Sequence, residues 1–168
     1  FMVVLLVLFL AVVLRMLPIR LAPHGAGIDQ WFWRVYIEKV RSSGEFPPVL
    51  PQFRLDEAQW YPPLFPWLMA RAPAMLLDRH ANLLAVVIDL TRLMLLIAAV
   101  YMLSGTLEAM LVAGLVYAAT PVLITYNMQL NPRGLGALFL DGALLALAAA
   151  LWRDGGVMAW GLAMFCGG

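Results

Sequence analysis

The chain has 168 residues, 64% hydrophobic and 12% charged, with a net charge of +1 and a mean hydropathy of +0.87. A soluble domain is about half apolar and about a quarter charged, so this composition excludes a water-soluble globule, a disordered tail and a nucleic-acid binder. The single cysteine, Cys166, excludes an internal disulfide framework. The composition predicts a membrane protein.

Long apolar runs predict an all-α fold, a polytopic bundle of transmembrane helices. The first span is predicted over residues 1–17, because Pro18 is expected to end it. Later spans are predicted over residues 81–103, 109–126, 137–152 and 157–168. The last run is too short to cross a hydrocarbon core of about 30 Å. We therefore expect the chain to be the N-terminal part of one longer transmembrane domain.

A long polar loop is predicted between the first two spans, over residues 18–80. Residues 18–60 hold ten of the 21 charged side chains, five of each sign. Long loops of this kind are usually functional. Six of the eleven basic residues lie between Arg15 and Arg54, so the positive-inside rule does not assign this loop to the outer side.

The loop is predicted to contain an amphipathic helix from Asp29, its possible N-cap, to about Ser43, with Gly44 ending it. Apolar residues recur on one face and charged residues on the other (Ile28, Phe32, Val35, Tyr36 and Val40 against Arg34, Glu38 and Arg41). We expect Arg34 to pair with Glu38. Trp31 and Trp33 favour the membrane interface, and a plain lipid anchor without chemistry remains an alternative.

A proline-rich stretch follows, Trp60-Tyr61-Pro62-Pro63-Leu64-Phe65-Pro66-Trp67. The prolines are expected to prevent a regular helix before Pro66. Residues 64–77 are then predicted to form a second interfacial or re-entrant helix, because the run is short and is interrupted by Arg71 and Pro73. Residues 78–80, Asp-Arg-His, are expected to form a polar turn.

Three carboxylates of the loop are candidates for catalysis. A carboxylate at Asp29, close to the bilayer surface, could serve as a general base or a metal ligand, and its alternative role is the N-cap. Asp56 and Glu57 are adjacent and could share a divalent metal ion or divide acid and base roles. The alternative for this pair is solvated loop charge.

Two arginines are candidates for binding a phosphate. Arg92 lies three residues after Asp89 in a predicted span, where it could face an anion or be neutralised by Asp89. Arg133 lies in a short loop before a helix, where it could bind an anion or extend to the interface. Asp141 is expected to pair with Arg133 or with a helix beyond this sequence. The sequence contains no nucleophile elbow, HExxH motif or phosphate-binding glycine loop.

This arrangement resembles the N-terminal part of the GT-C glycosyltransferases, over nearly the whole chain. The shared features are an early acid in the first loop, the Tyr61-Pro62-Pro63-Leu64 stretch, Arg92-Leu93 and the Asn131-Pro132-Arg133-Gly134 loop. Within that class the chain is most similar to bacterial relatives of the protein O-mannosyltransferases and of the aminoarabinose transferase that modifies lipid A.

The resemblance implies a multi-pass protein of the inner membrane, with the first loop on the extracytoplasmic side and two helices of that loop lying along the membrane. It implies transfer of a sugar from a polyprenyl-phosphate donor to a lipid, glycan or protein acceptor, with inversion. An acid of the loop would be the base, and Asp29 matches its position best. Tyr61 and Trp60 would shape the pocket. A divalent ion, if used, would be bound by Asp29 or Glu57, and the chain alone is expected to be inactive.

A protein without catalytic activity is the rival interpretation, either a piece of a transporter or an assembly scaffold. Transporters place ionisable groups at mid-membrane and show repeated halves. In this sequence the charges are concentrated in one loop, which favours an enzyme. A polymerase or ligase acting on lipid-linked oligosaccharides is a third possibility.

Overall fold

The computed structural model describes residues 2–21, 28–46, 62–127 and 129–152, except for a few side chains near the ends of helices. These residues are almost entirely helical and include no strand, so the predicted all-α class is confirmed. The helices are α1 (Met2–Leu21), α2 (Ile28–Ser43), α3 (Leu64–Arg71), α4 (Ala74–Ser104), α5 (Leu107–Ala119), α6 (Pro121–Asn127) and α7 (Pro132–Trp152).

Three of these helices, α1, α4 and α7, are long and apolar enough to cross a membrane. Helix α5 is also apolar, but it has only 13 residues, about 20 Å at 1.5 Å per residue. The three long helices indicate a membrane protein, as the composition predicted.

Helix α1 continues through Pro18 to Leu21, so the predicted end at residue 17 is wrong. Proline removes the hydrogen bond that its own nitrogen would donate to the preceding turn. Here the loss falls in the last turn of the helix, and the apolar residues around it still form a continuous helix.

Helix α2 agrees with its prediction in length, and Gly44 ends it with a positive φ of 75°. The buried face includes Phe32, Tyr36 and Val40, as expected. Trp33, expected at the interface, is instead buried in the same cluster. The charged face pairs differently from the prediction, because Arg34 binds Asp78 of α4 and Glu38 binds Arg41.

Helix α3 begins at Leu64, where the predicted helix 64–77 begins, although the prolines were expected to prevent a regular helix before Pro66. It ends at Arg71, so the predicted end at residue 77 is wrong. Pro66 is the third residue of the helix, where the backbone nitrogen has no partner within the helix, so its missing N–H costs little. Arg41 fixes α3 onto α2, since its guanidinium donates to the carbonyls of Met69, Ala70 and Ala72 at distances of 3.0–3.3 Å.

Helix α4 is one continuous helix of 31 residues, so the predicted turn at residues 78–80 and the span limited to 81–103 are both wrong. The two residues that separate this helix from α3 lie earlier in the sequence, at Ala72 and Pro73. Asp78, Arg79 and His80 are helical residues in the first turns. A helix of this length measures about 46 Å, so its polar N-terminal turns extend beyond a hydrocarbon core of about 30 Å.

The predicted span 109–126 is divided in two at Thr120. Pro121 begins α6, and a residue before proline is restricted to extended conformations. Thr120 accordingly has a ψ of 114° and stands outside both helices. Helix α7 begins at Pro132 rather than Ala137, because the Asn131 side chain accepts a hydrogen bond from the Gly134 N–H and caps it.

The buried apolar side chains form two separate clusters. One joins α2, α3, the first half of α4 and the segment before α7, around Trp33, Phe65 and Leu130. The other joins α1, α4 and α5, around Val7, Leu93 and Tyr117. Gly114 allows the second set of helices to approach closely, because a Cβ there would lie 3.0 Å from Val7 and 3.1 Å from Ile97.

Candidate functional site

Four charged side chains from three helices form a buried network between the two apolar clusters. Arg15 of α1 donates from Nε to Asp89 of α4. Arg92, one turn further along α4, donates from Nε to Asp141 of α7 at 2.7 Å, and its Nη1 lies 3.8 Å from Asp89. Two positive and two negative charges therefore neutralise one another, as buried charges require.

Tyr117 of α5 connects the two arginines. Its hydroxyl donates to Asp89 at 2.6 Å, and the guanidinium carbons of Arg15 and Arg92 lie 5.5 and 5.7 Å from the centre of its ring. Arg15 is fully buried and also donates from Nη1 to the carbonyl of Ala118 at 3.2 Å. This network ties α1, α4, α5 and α7 together.

The network lies deep in the helices. Asp89 is the sixteenth residue of the 31 in α4, about 22 Å from either end at 1.5 Å per residue. Asp141 is also near the middle of its helix. Ionisable groups at this depth in membrane proteins are costly unless they are paired, and they often mark functional sites.

A small crevice leads from this network toward the end of the helices where α2 packs, and its cavity volume of about 10 Å³ has room for a single water molecule. Its polar lining consists of Asp89 and Arg92 from α4 and of Gln129 and Asn131 from the segment before α7. Leu130 lines the same crevice and also belongs to the cluster formed by α2 and α3. Leu130 also lines a pocket with Gln30, Trp33 and Arg34, so the crevice lies next to the first turns of α2.

The predicted phosphate-binding residues have different surroundings. Arg92 lines the crevice but is ion-paired with Asp141, so Asp141 does not pair with Arg133 as one alternative expected. Arg133 is exposed at the second residue of α7, next to the crevice residues Asn131 and Gly134. Basic side chains and free N–H groups at the start of a helix favour anions.

The predicted carboxylates and aromatic pocket residues are only partly placed. Asp29 is in the first turn of α2, and its side chain lies outside the described set. The other four predicted site residues, Asp56, Glu57, Trp60 and Tyr61, lie outside the described residues altogether. Within the described ranges, no group of three His, Cys, Asp or Glu side chains is arranged to hold a metal ion.

Sequence reasoning missed Arg15 and Tyr117 as members of the network. A signal for Arg15 was present, since it lies within an apolar helix of 20 residues whose other charge, Arg20, is in the last turn. Such a residue requires a partner of opposite charge at the same depth. Tyr117 gave no comparable signal, because a tyrosine in an apolar run is common.

Comparison of the chain with protein-family models, with curated proteins and with solved structures gives no match.

Proposed function

We propose that this chain forms the N-terminal part of a GT-C-type glycosyltransferase of the inner (plasma) membrane, a polytopic helix bundle with its first loop on the extracytoplasmic side. The observation that carries the proposal is the polar crevice lined by Arg92, whose lining residue Leu130 packs against the first turns of α2. An enzyme using a lipid-linked donor needs polar groups at the membrane surface beside apolar helices. The arrangement of α2, α4 and α7 is consistent with that need.

The proposed reaction is an inverting single displacement. A hydroxyl or amine of a lipid, glycan or protein acceptor attacks the anomeric carbon of a polyprenyl-phosphate sugar. The bond from that carbon to the phosphate oxygen breaks, and the polyprenyl phosphate leaves with its bonding electrons. Asp29 accepts the proton of the acceptor, with Asp56 and Glu57 as the alternative acids. Trp60 and Tyr61 shape the sugar pocket.

Charge on the leaving phosphate requires a cation. Arg133 is the main candidate because it is exposed at the start of α7, beside the crevice. Arg92 contributes a fixed charge at the base of the crevice that Asp141 partly compensates. Removing Arg133 is expected to impair transfer more directly than removing Arg92, because Arg133 is exposed to a ligand whereas the Arg92 side chain is only 12% exposed.

The proposal is tested by measuring transfer of radiolabelled sugar from a polyprenyl-phosphate donor in membranes that contain the full-length protein. Asp29→Asn and Arg133→Met are expected to reduce transfer by about 100-fold or more, the usual range for a general base or a charge-stabilising group. Glu108→Gln serves as the control, since Glu108 is exposed at the opposite end of the helices. Absence of any transfer by the wild-type protein would contradict the proposal.

A non-catalytic membrane protein is the second candidate, and the buried network favours it. Transporters use ionisable groups near the middle of the membrane, where Asp89 and Asp141 lie. The two candidates differ in the acid they require. A transferase depends on the loop acid Asp29, whereas a transporter depends on Asp89 or Asp141 and has no transfer activity to lose.

A further inference from the structure

A second polar cleft lies between α2 and the first turns of α4, apart from the crevice that Arg92 lines. Its cavity volume is about 200 Å³. Side chains from α2 form one wall (Gln30, Trp31 and Arg34), and side chains from α4 form the other (Asp78, Arg79 and Asn82). Its floor is apolar, formed by Leu77 and Ala81. The ion pair between Arg34 and Asp78, 2.7 Å apart, bridges the two walls.

Two buried amide oxygens in the walls have no hydrogen-bond partner within the described part of the chain. They are Oε1 of Gln30 and Oδ1 of Asn82. A buried acceptor without a partner costs free energy. Each oxygen is closed to solvent, so a donor in the cleft reaches it when the amide group turns toward the cleft, and the hydrogen bond gained favours that turn. Both oxygens therefore favour an occupant that supplies O–H or N–H donors.

The charges and the indole ring limit which ligands can bind in the cleft. The positive charges of Arg34 and Arg79 repel a ligand with an ammonium group. The carboxylate of Asp78 repels inorganic phosphate, which also supplies few hydrogen-bond donors to the amide oxygens. Trp31 is 46% exposed and offers an aromatic face, although Arg34 lies 5.6 Å from its ring centre. A donor-rich neutral ligand with one apolar face meets all of these conditions.

We infer that this cleft binds a sugar ring, with the C–H face of the ring against Trp31 and its hydroxyls donating to Gln30 and Asn82. Arg34 and Arg79 then donate to the ring and hydroxyl oxygens. Sugar binding is inferred from this geometry alone. The further role of the cleft as the acceptor subsite rests on the proposed function, since Gln30 follows directly after Asp29 in α2.

Saturation-transfer NMR on the chain in nanodiscs tests the inference. The probes are methyl glycosides of a neutral hexose and an N-acetylhexosamine, with sorbitol and inorganic phosphate as controls. At least one glycoside is expected to receive saturation well above both controls. The same hexose carried on a glycolipid in the nanodisc identifies the source, because tighter binding there assigns a lipid headgroup and equal binding assigns a free glycan.

Three variants define the site. Trp31→Leu is expected to lower the affinity for the glycoside about fivefold or more, in line with the energy of an aromatic contact. Asn82→Leu is expected to abolish binding without lowering thermal stability, because it removes an acceptor that has no partner. Trp67→Leu is the matched control, since Trp67 is also half exposed, stacks with Arg71 and lies on α3.

The inference is overturned if no glycoside exceeds the sorbitol background, which would indicate a water-filled cleft. It is also overturned if Trp31→Leu and Trp67→Leu bind equally. Failure of the proposed function gives a different result: glycoside binding persists in a protein that transfers no sugar. Transfer without glycoside binding would instead leave the transferase intact and reject this cleft.

Discussion

Arg15 of α1 and Asp89 of α4 form an ion pair in which the two side chains are 0% and 2% exposed. The pair lies at the centre of a neutral network with Tyr117, Arg92 and Asp141. Because the alternative to pairing at this depth is an isolated charge in a medium of low polarity, the network specifies how the four helices that contribute to it meet.

Breaking the pair from one side is expected to destabilise the protein strongly. Arg15→Met leaves Asp89 buried without its main partner and should lower the free energy of unfolding by about 3–5 kcal/mol. The measurement is the loss of helical circular dichroism in mixed micelles as SDS is added. The double variant Arg15→Met with Asp89→Leu should recover much of the loss, because it removes both charges.

The exposed pair of Arg34 and Asp78 is the control for that prediction. These side chains are 44% and 53% exposed, so Arg34→Met should cost no more than about 1 kcal/mol. Equal losses for Arg15→Met and Arg34→Met, or simple additivity in the Arg15–Asp89 double variant, would contradict the assigned role of the buried pair.

The close approach of α5 to α1 and α4 depends on Gly114. Gly114→Ala places a Cβ at 3.0 Å from Val7 and 3.1 Å from Ile97, and overpacking of this kind costs about 1–3 kcal/mol. Gly142 is the matched control in α7, since nothing lies within 4 Å of its added Cβ. Gly142→Ala should be neutral or stabilising, because alanine favours a helix. Thermal unfolding in nanodiscs measures both, and equal effects would contradict the packing account.

Arg41 is expected to hold α3 locally without determining overall stability. Its guanidinium donates to three carbonyls at the end of α3, and lysine cannot reproduce that set of donors. Arg41→Lys should speed amide hydrogen exchange in α3 about tenfold or more while exchange in α4 is unchanged, as expected for local opening. Lys39→Ala, on the same helix, is the control. Unchanged exchange in α3 would contradict this role.

The two ends of α4 are predicted to face opposite sides of the membrane. After Cys166→Ser, a cysteine at Glu45 should react with an impermeant maleimide added outside spheroplasts, whereas a cysteine at Glu108 should react only after permeabilisation. Both native side chains are exposed, and α4 separates the two ends by about 46 Å. The reverse labelling pattern would place the first loop in the cytoplasm and remove the main support for the transferase.

The features that were predicted correctly from the sequence are those that depend on local residue patterns. The helical class, the apolar helices and the length of α2 follow from periodicity and from Gly44, and the structure agrees. The boundaries near proline were wrong in both directions. Pro66 is tolerated because it lies in the first turn of α3, where an N–H has no partner in the helix, and Pro18 removes one hydrogen bond in the last turn of α1. Pro121 instead divides a span that composition treated as continuous.

Partners between helices could not be predicted, because they depend on how the helices pack. Asp141 was expected to pair with Arg133 or with a helix beyond this sequence, and only the contact of α4 with α7 brings it to Arg92. Likewise, nothing local indicated that Arg34 would bind Asp78 across 44 positions rather than Glu38, four residues away. Periodicity finds a charged face but does not identify the element that packs beside it.

The most direct test of the central proposal is sugar transfer from a polyprenyl-phosphate donor, compared between wild-type membranes and membranes containing Asp29→Asn, at matched protein levels. We expect robust transfer by the wild type, a loss of about 100-fold or more in Asp29→Asn and normal transfer in the Glu108→Gln control. Transfer by Asp29→Asn at the wild-type rate would reject Asp29 as the base, and no transfer by the wild type would contradict the glycosyltransferase proposal itself.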